Sequence, residues 1–167
     1  DYIYRDYGTV VPQSIWSPAT AGDAQRYCNV PLNMPIFFVH GERGILGLRL
    51  AQATAGRIEG LLNGRAPAPI GNGHTTSIRI KWPGYNEWTT QIMTRDQTQA
   101  QNIISLETLA ARVARAVSRF LELFARQQSR RPAWQVGPGG ITATDVILIG
   151  LIHVTQGSWQ PILQLNR

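Results

Sequence analysis

The chain has 167 residues, 43% of them hydrophobic, and carries 16 Lys and Arg against 10 Asp and Glu, a net charge of +6. That length suits one domain, which size scaling allows to bury about two-thirds of its unfolded surface. No apolar run approaches the ~20 residues of a membrane-spanning helix, so a soluble protein without a membrane partner is expected. Lys81 is the only lysine beside 15 arginines. The planar guanidinium suits phosphate and carboxylate, although GC-rich coding produces the same bias. Cys28 is the single cysteine, which excludes an internal disulfide and a cysteine-based zinc cage. With no Asn-x-Ser/Thr sequon either, an intracellular setting is expected, the nucleus being one such compartment. The chain opens on Asp1 with no charged-then-apolar leader, as an excised fragment or a processed product would.

Residues 1–33 are rich in Tyr, Pro and small side chains and have no sustained period, so they read as an extended N-terminal arm. Tyr2, Tyr4, Tyr7 and Trp16 either pin that arm to the domain surface or dock on another chain, and intramolecular docking is preferred because free aromatics are sticky. Residues 34–167 then form one domain. Ile36, Phe37, Phe38 and Val39 suit a short buried strand, and His40 to Gly44 a turn. Gly44-Ile45-Leu46-Gly47 matches a bare GxxG pattern too common to carry RNA binding. Leu48 to Leu62 has helical spacing, weakened by Gly56 and Gly60 at about 1 kcal/mol each relative to alanine. Residues 65–74, with Pro67, Pro69, Gly71 and Gly73, form a loop.

The alternation Ser77-Ile78-Arg79-Ile80-Lys81-Trp82 predicts a strand, Pro83-Gly84 a break, and Trp88 to Met93 the returning strand, hence a hairpin near 75–93. Trp82, Tyr85 and Trp88 crowd one end of it, either as a lid over the core, the preferred reading, or as a base-stacking platform. Gln97 to Asn102 is polar and without period. Ser105 stands at an N-cap position, and Leu106, Leu109, Ala110, Val113, Val117, Phe120, Leu121 and Phe124 recur at helical steps. A long helix near 106–128 follows. At 100° per residue, Arg112, Arg115, Arg119 and Arg126 lie together on its other side. Arg130 and Arg131 extend the charge to Pro132, so Ser105–Arg131 holds six arginines against Glu107 and Glu122, +4 of the total +6. A solvated outer face and a phosphate-binding strip both fit this pattern.

Gly137-Pro138-Gly139-Gly140 lacks the spacing and the Lys-Ser/Thr of a phosphate loop and reads as a linker. Thr142 and Asp145 have capping-box spacing before the apolar block Val146 to Val154. Its β-branched residues favour strand, the cap and Gly157 favour helix, and helix is preferred. His153 reads as a core histidine. A last apolar segment runs from Ile162 to Leu165. The fold class is therefore α+β: a small antiparallel sheet including the hairpin, packed against the long helix and one or two further helices.

Three stretches together, Ile80-Lys81-Trp82-Pro83-Gly84-Tyr85 with Trp88 and Gln91, Leu109 to Phe120, and His153 to Pro161, resemble a family of uncharacterised fungal proteins. The similarity spans residues 34–165. It implies one ordered unit and transfers no activity and no functional residue.

No catalytic constellation stands out. His40, His74 and His153 lie 34 and 79 positions apart and form no local ligand pair, no G-x-S-x-G elbow occurs, and the carboxylates sit at turns and caps. No catalytic residue, metal or cofactor is assigned. The leading expectation is a noncatalytic nucleic-acid-binding, DNA-binding or RNA-binding, domain. Arg112, Arg115, Arg119, Arg126, Arg130 and Arg131 supply phosphate contacts, and Arg79, Lys81 and Trp88 extend them. The alternative is a protein-interaction module or homodimer, in which the arm and hairpin bury against another chain and the arginines meet an acidic partner, and an enzyme of unknown class is the third reading.

Overall fold

The computed structural model describes residues 8–27 and 29–167. The expected roles of Tyr2, Tyr4, Tyr7 and Cys28 lie outside the described residues. The sheet is built around two long strands, β7 (Val146–Thr155) and β8 (Ser158–Leu165), paired antiparallel across the turn at Gln156-Gly157. All of β7 is buried except Ile152, which is half-buried. This corrects the helix preferred for Val146–Val154. A central strand covered on both faces shows a continuous apolar run rather than alternation, so its period is uninformative. The cap at Thr142 and Asp145 does exist. It closes one 3-10 turn, Ala143–Asp145, before the β-branched run takes extended backbone.

Shorter pieces assemble on this pair. β1 (Ile36–Phe37) and β4 (Leu48–Arg49) both lie along β7, while β2 (Val39–His40) and β3 (Ile45–Leu46) make a separate small hairpin over the GxxG stretch. The predicted hairpin is β5 (Thr75–Ile80) with β6 (Trp88–Met93). β5 runs parallel to β8, giving the order β1-β7-β8-β5-β6 and making the sheet mixed, where an antiparallel one was expected. The α+β class stands, with β6 at one edge.

The arm docks on its own domain. Val11 donates to Leu163 O and Leu165 donates to Thr9 O, so the arm pairs with the C-terminal half of β8 where β5 leaves it. Gln13 bridges the divergence, donating to Pro161 O at 2.7 Å and accepting from Lys81 N–H at 3.0 Å. The arm also carries α1 (Ala21–Tyr27), whose Tyr27 meets Trp16 edge-on at 6.0 Å.

Against the sheet lies α3 (Leu106–Phe124), four residues shorter than the expected 106–128. Twelve of its 19 residues are buried, including Ala111, Ala114, Ala116 and Ser118 beside the predicted stripe. Those small residues admit α2 (Leu50–Thr54), the remnant of the helix expected over 48–62, and Thr54 Oγ1 meets Ser118 Oγ at 2.7 Å. α2 stops early because Gly56 and Gly60 take φ of +77° and +75°. The N-cap is as predicted: Ser105 Oγ accepts the Thr108 N–H at 3.2 Å. Ser105→Ala should cost about 1 kcal/mol, read as a lower urea midpoint with an unchanged slope.

Candidate nucleic-acid interface

With sheet, α2 and the loop at Val136 and Ile141 covering most of α3, a narrow strip reaches solvent beyond the first turn, where Glu107 is exposed on another side. Arg115, Arg119, Glu122 and Leu123 are exposed on it, Arg112 is half-buried, and Arg126 continues the line just past the helix end. At 100° per residue the three arginines within the helix, Arg112, Arg115 and Arg119, fit a wedge of about 60°. The strip overlooks edge strand β6. Arg112, Arg115 and Arg119 line one wall of a groove of about 390 Å³, and Thr90, Gln91, Met93 and Gln97 line the other.

The arginines have different local roles. Arg112 Nη1 donates to Met93 O at 2.6 Å and to Arg95 O at 3.5 Å, so it fastens α3 to the end of β6. Among the described residues Arg115 spends only its Nε, on Thr54 O at 3.3 Å, which leaves its terminal nitrogens without a partner there. Arg119 and Arg126 make no hydrogen bond or ion pair among the described residues. Acids lie near the strip. Glu122 sits on it, and Glu59 and Glu107 share a cleft with Arg115, yet the one ion pair among the described residues is Arg79–Glu87 at 3.2 Å.

The loop carrying Arg95 and Gln97 is held by Asp96. Its carboxylate accepts from Thr98 Oγ1 at 2.6 Å, Thr98 N at 3.2 Å and Asn102 N at 3.0 Å. The Thr98 hydroxyl, the largest influence, holds the Asp96 carboxyl below its ordinary value, partly opposed by desolvation. A depressed carboxyl lends order above its unfolded pKa and loses it on acidification, so this groove wall loosens only at acid pH.

The other predicted residues fall elsewhere. Arg79 alternates out of β5 away from α3, bonds Ser158 Oγ at 2.9 Å and Glu87, and lies 5.2 Å over the Trp16 ring. Trp88 is half-buried against Phe120 at 6.0 Å. Trp82 and Tyr85 are buried and form the expected core lid: Trp82 Nε1 donates to Trp134 O at 3.0 Å, and Tyr85 OH accepts from Val136 N at 3.0 Å. Lys81, Arg130 and Arg131 gather around the Pro83-Gly84 turn, on a different part of the surface lining.

Of the histidines, His74 is exposed and His40 half-buried. His153 stacks on Trp159 at 4.3 Å, accepts the Asn33 N–H at Nδ1 at 2.8 Å, and so carries its proton on Nε2, toward Gln156 O. Among the described residues no three His, Cys, Asp or Glu side chains converge on a point that holds a metal. What sequence reading missed is the division of labour within the strip. The small residues Ala111, Ala114 and Ala116, between the arginines, were the signal that neighbours press in close on either flank. No protein-family model, curated protein or solved structure matches this chain.

Proposed function

We propose that the chain is a noncatalytic basic binding domain that contacts nucleic-acid phosphates along Arg115, Arg119 and Arg126, with Arg112 as the tie that holds the strip in place. The observation that carries this reading is that three guanidinium groups stand exposed in line without an ion pair among the described residues. Arg115 and Arg119 are one helical turn, about 6 Å, apart along the axis, so their forks reach successive phosphates of one strand. The groove wall adds only uncharged side chains, which suits backbone contact without base readout.

Binding to mixed single- and double-stranded oligonucleotides should therefore fall steeply as salt rises from ~50 mM, through counterion release. Arg115→Glu with Arg119→Glu should weaken it at least about tenfold at low salt and flatten the log–log salt slope by roughly two. Thermal stability should stay within about 0.5 kcal/mol, since both side chains are on the surface. Absence of binding at ~50 mM salt would end this reading.

One observation favours a second reading. Among the described residues β6 ends the sheet beside the arginines, with its Met93 carbonyl taken by Arg112, so an extended acidic segment of another protein, or of a second copy, adds along the rest of the strand. A dimer mass together with absent nucleic-acid binding would select it.

A further inference from the structure

The geometry points to a discrete phosphomonoester site, separate from the arginine strip, in the cleft between the Pro83-Gly84 turn and the segment that follows α3. The cleft encloses about 620 Å³ and is lined by Lys81 from the end of β5, Arg130 and Arg131 from beyond the helix, Ser14 from the arm, and Asn86. Three cations from two sequence-distant segments thus face one space.

The single acid on that lining, Glu87, is engaged at 3.2 Å by Arg79. The Lys81 ammonium and the Arg131 guanidinium have no hydrogen bond or ion pair among the described residues, and Arg130 is oriented by Asn86 Oδ1 at 3.2 Å. A local excess of three positive charges suits a dianion better than a carboxylate or a diester, each of which carries one charge. Two planar forks and a point charge also match the three free oxygens of a terminal phosphate. Ser14 and Asn86 add neutral hydrogen-bonding groups.

The roots of these side chains are rigid. Arg130 N–H donates to Gly84 O at 2.9 Å, and the buried Ser129 Oγ accepts from Arg131 N at 3.0 Å while donating to Arg131 O at 2.8 Å. Ser129 N–H is held in turn by Gln135 Oε1 at 2.7 Å. The cationic backbone is thus fixed before a ligand arrives, which lowers the ordering cost of binding. This site shares no residue with the strip and does not depend on it.

The test uses the full chain and three probes: inorganic phosphate, a nucleoside monophosphate, and one single-stranded oligonucleotide with or without a terminal phosphate. Amide NMR shifts at Gly84, Asn86 and Arg131 report the cleft. A preference of about tenfold for the terminally phosphorylated strand, lost in Lys81→Gln and in Arg131→Gln, would identify a nucleic-acid end as the source. Equal affinity for both strands, with cleft shifts from the monophosphate, would identify a small phosphorylated ligand and equally support the site. Because no histidine lines the cleft and a monoester's second ionisation lies near pH ~6, monophosphate binding should tighten as pH rises through that value. Cleft shifts absent with all three probes, or shifts and affinities unaltered in both variants, would overturn the proposal. Arg115→Glu with Arg119→Glu should leave the monophosphate shifts intact, so failure of the strip and failure of the cleft are read separately.

Discussion

Phe120→Ala is expected to destabilise the protein by about 3–5 kcal/mol, the largest loss from any one side chain of α3. Phe120 is fully buried, and its ring centroid lies 5.9 Å from Trp82, 6.2 Å from Tyr85, 6.0 Å from Trp88 and 4.5 Å from Phe124. It is the point at which the hairpin, the helix and, through Trp82 and Trp134, the following loop meet. Truncation removes the transfer energy of a large side chain. It also leaves a cavity that four rings, two of them, Trp82 and Tyr85, fixed by hydrogen bonds, fill poorly. For a domain of this size each kcal/mol lowers the melting temperature by about 2–4 °C, so calorimetry should show a drop of roughly 10 °C. Phe120→Leu, which keeps much of the volume, should lose less than half as much. A loss under about 1 kcal/mol for the alanine variant would mean that the aromatic cluster is not the keystone of the helix–hairpin contact.

The second large effect lies at Gly84. Its φ is +86°, and an added Cβ would collide with Ser129 Oγ and lie 2.8 Å from Arg131 N. The serine hydroxyl is not free to swing aside, because it both accepts from and donates to the Arg131 backbone. Gly84→Ala therefore combines left-handed backbone strain with overpacking, together about 2–4 kcal/mol. Urea denaturation would measure it. Combining it with Ser129→Gly should recover only part of the loss, because the backbone strain and the contact with Arg131 N remain. Since Gly84 O also holds Arg130 in place, the same substitution should weaken phosphate binding in the cleft while leaving the Arg115–Arg119 strip unchanged.

The hairpin of β5 and β6 and the start of α3 were legible because each has one buried and one exposed face. Ile78 and Ile80 alternate with Arg79, and the Leu109-to-Phe124 stripe alternates with the arginines, so burial leaves its period in the chain. The same logic failed for β7. With both faces covered, Val146 to Val154 carries no alternation, and a local capping signal pointed the wrong way. Gly150 within it makes sense only in three dimensions: a Cβ there would run into the Ile36 carbonyl of β1, more than a hundred residues earlier. The parallel pairing of β5 with β8 is equally remote in sequence, joining Ser77 to Ser158.

The basic residues divide the same way. That Arg112, Arg115 and Arg119 share a helix face follows from their spacing. That Arg112 is spent on the carbonyls of Met93 and Arg95, that Arg79 is paired with Glu87, and that Lys81 joins Arg130 and Arg131 in one cleft does not. By itself the sequence determined the amphipathic elements and the excess of arginine on one helix, because helix and strand periods are local properties of the chain. Only the tertiary structure decided which strand is central, which guanidinium groups stay available and which cations converge, because those depend on contacts between residues that packing, not spacing, brings together.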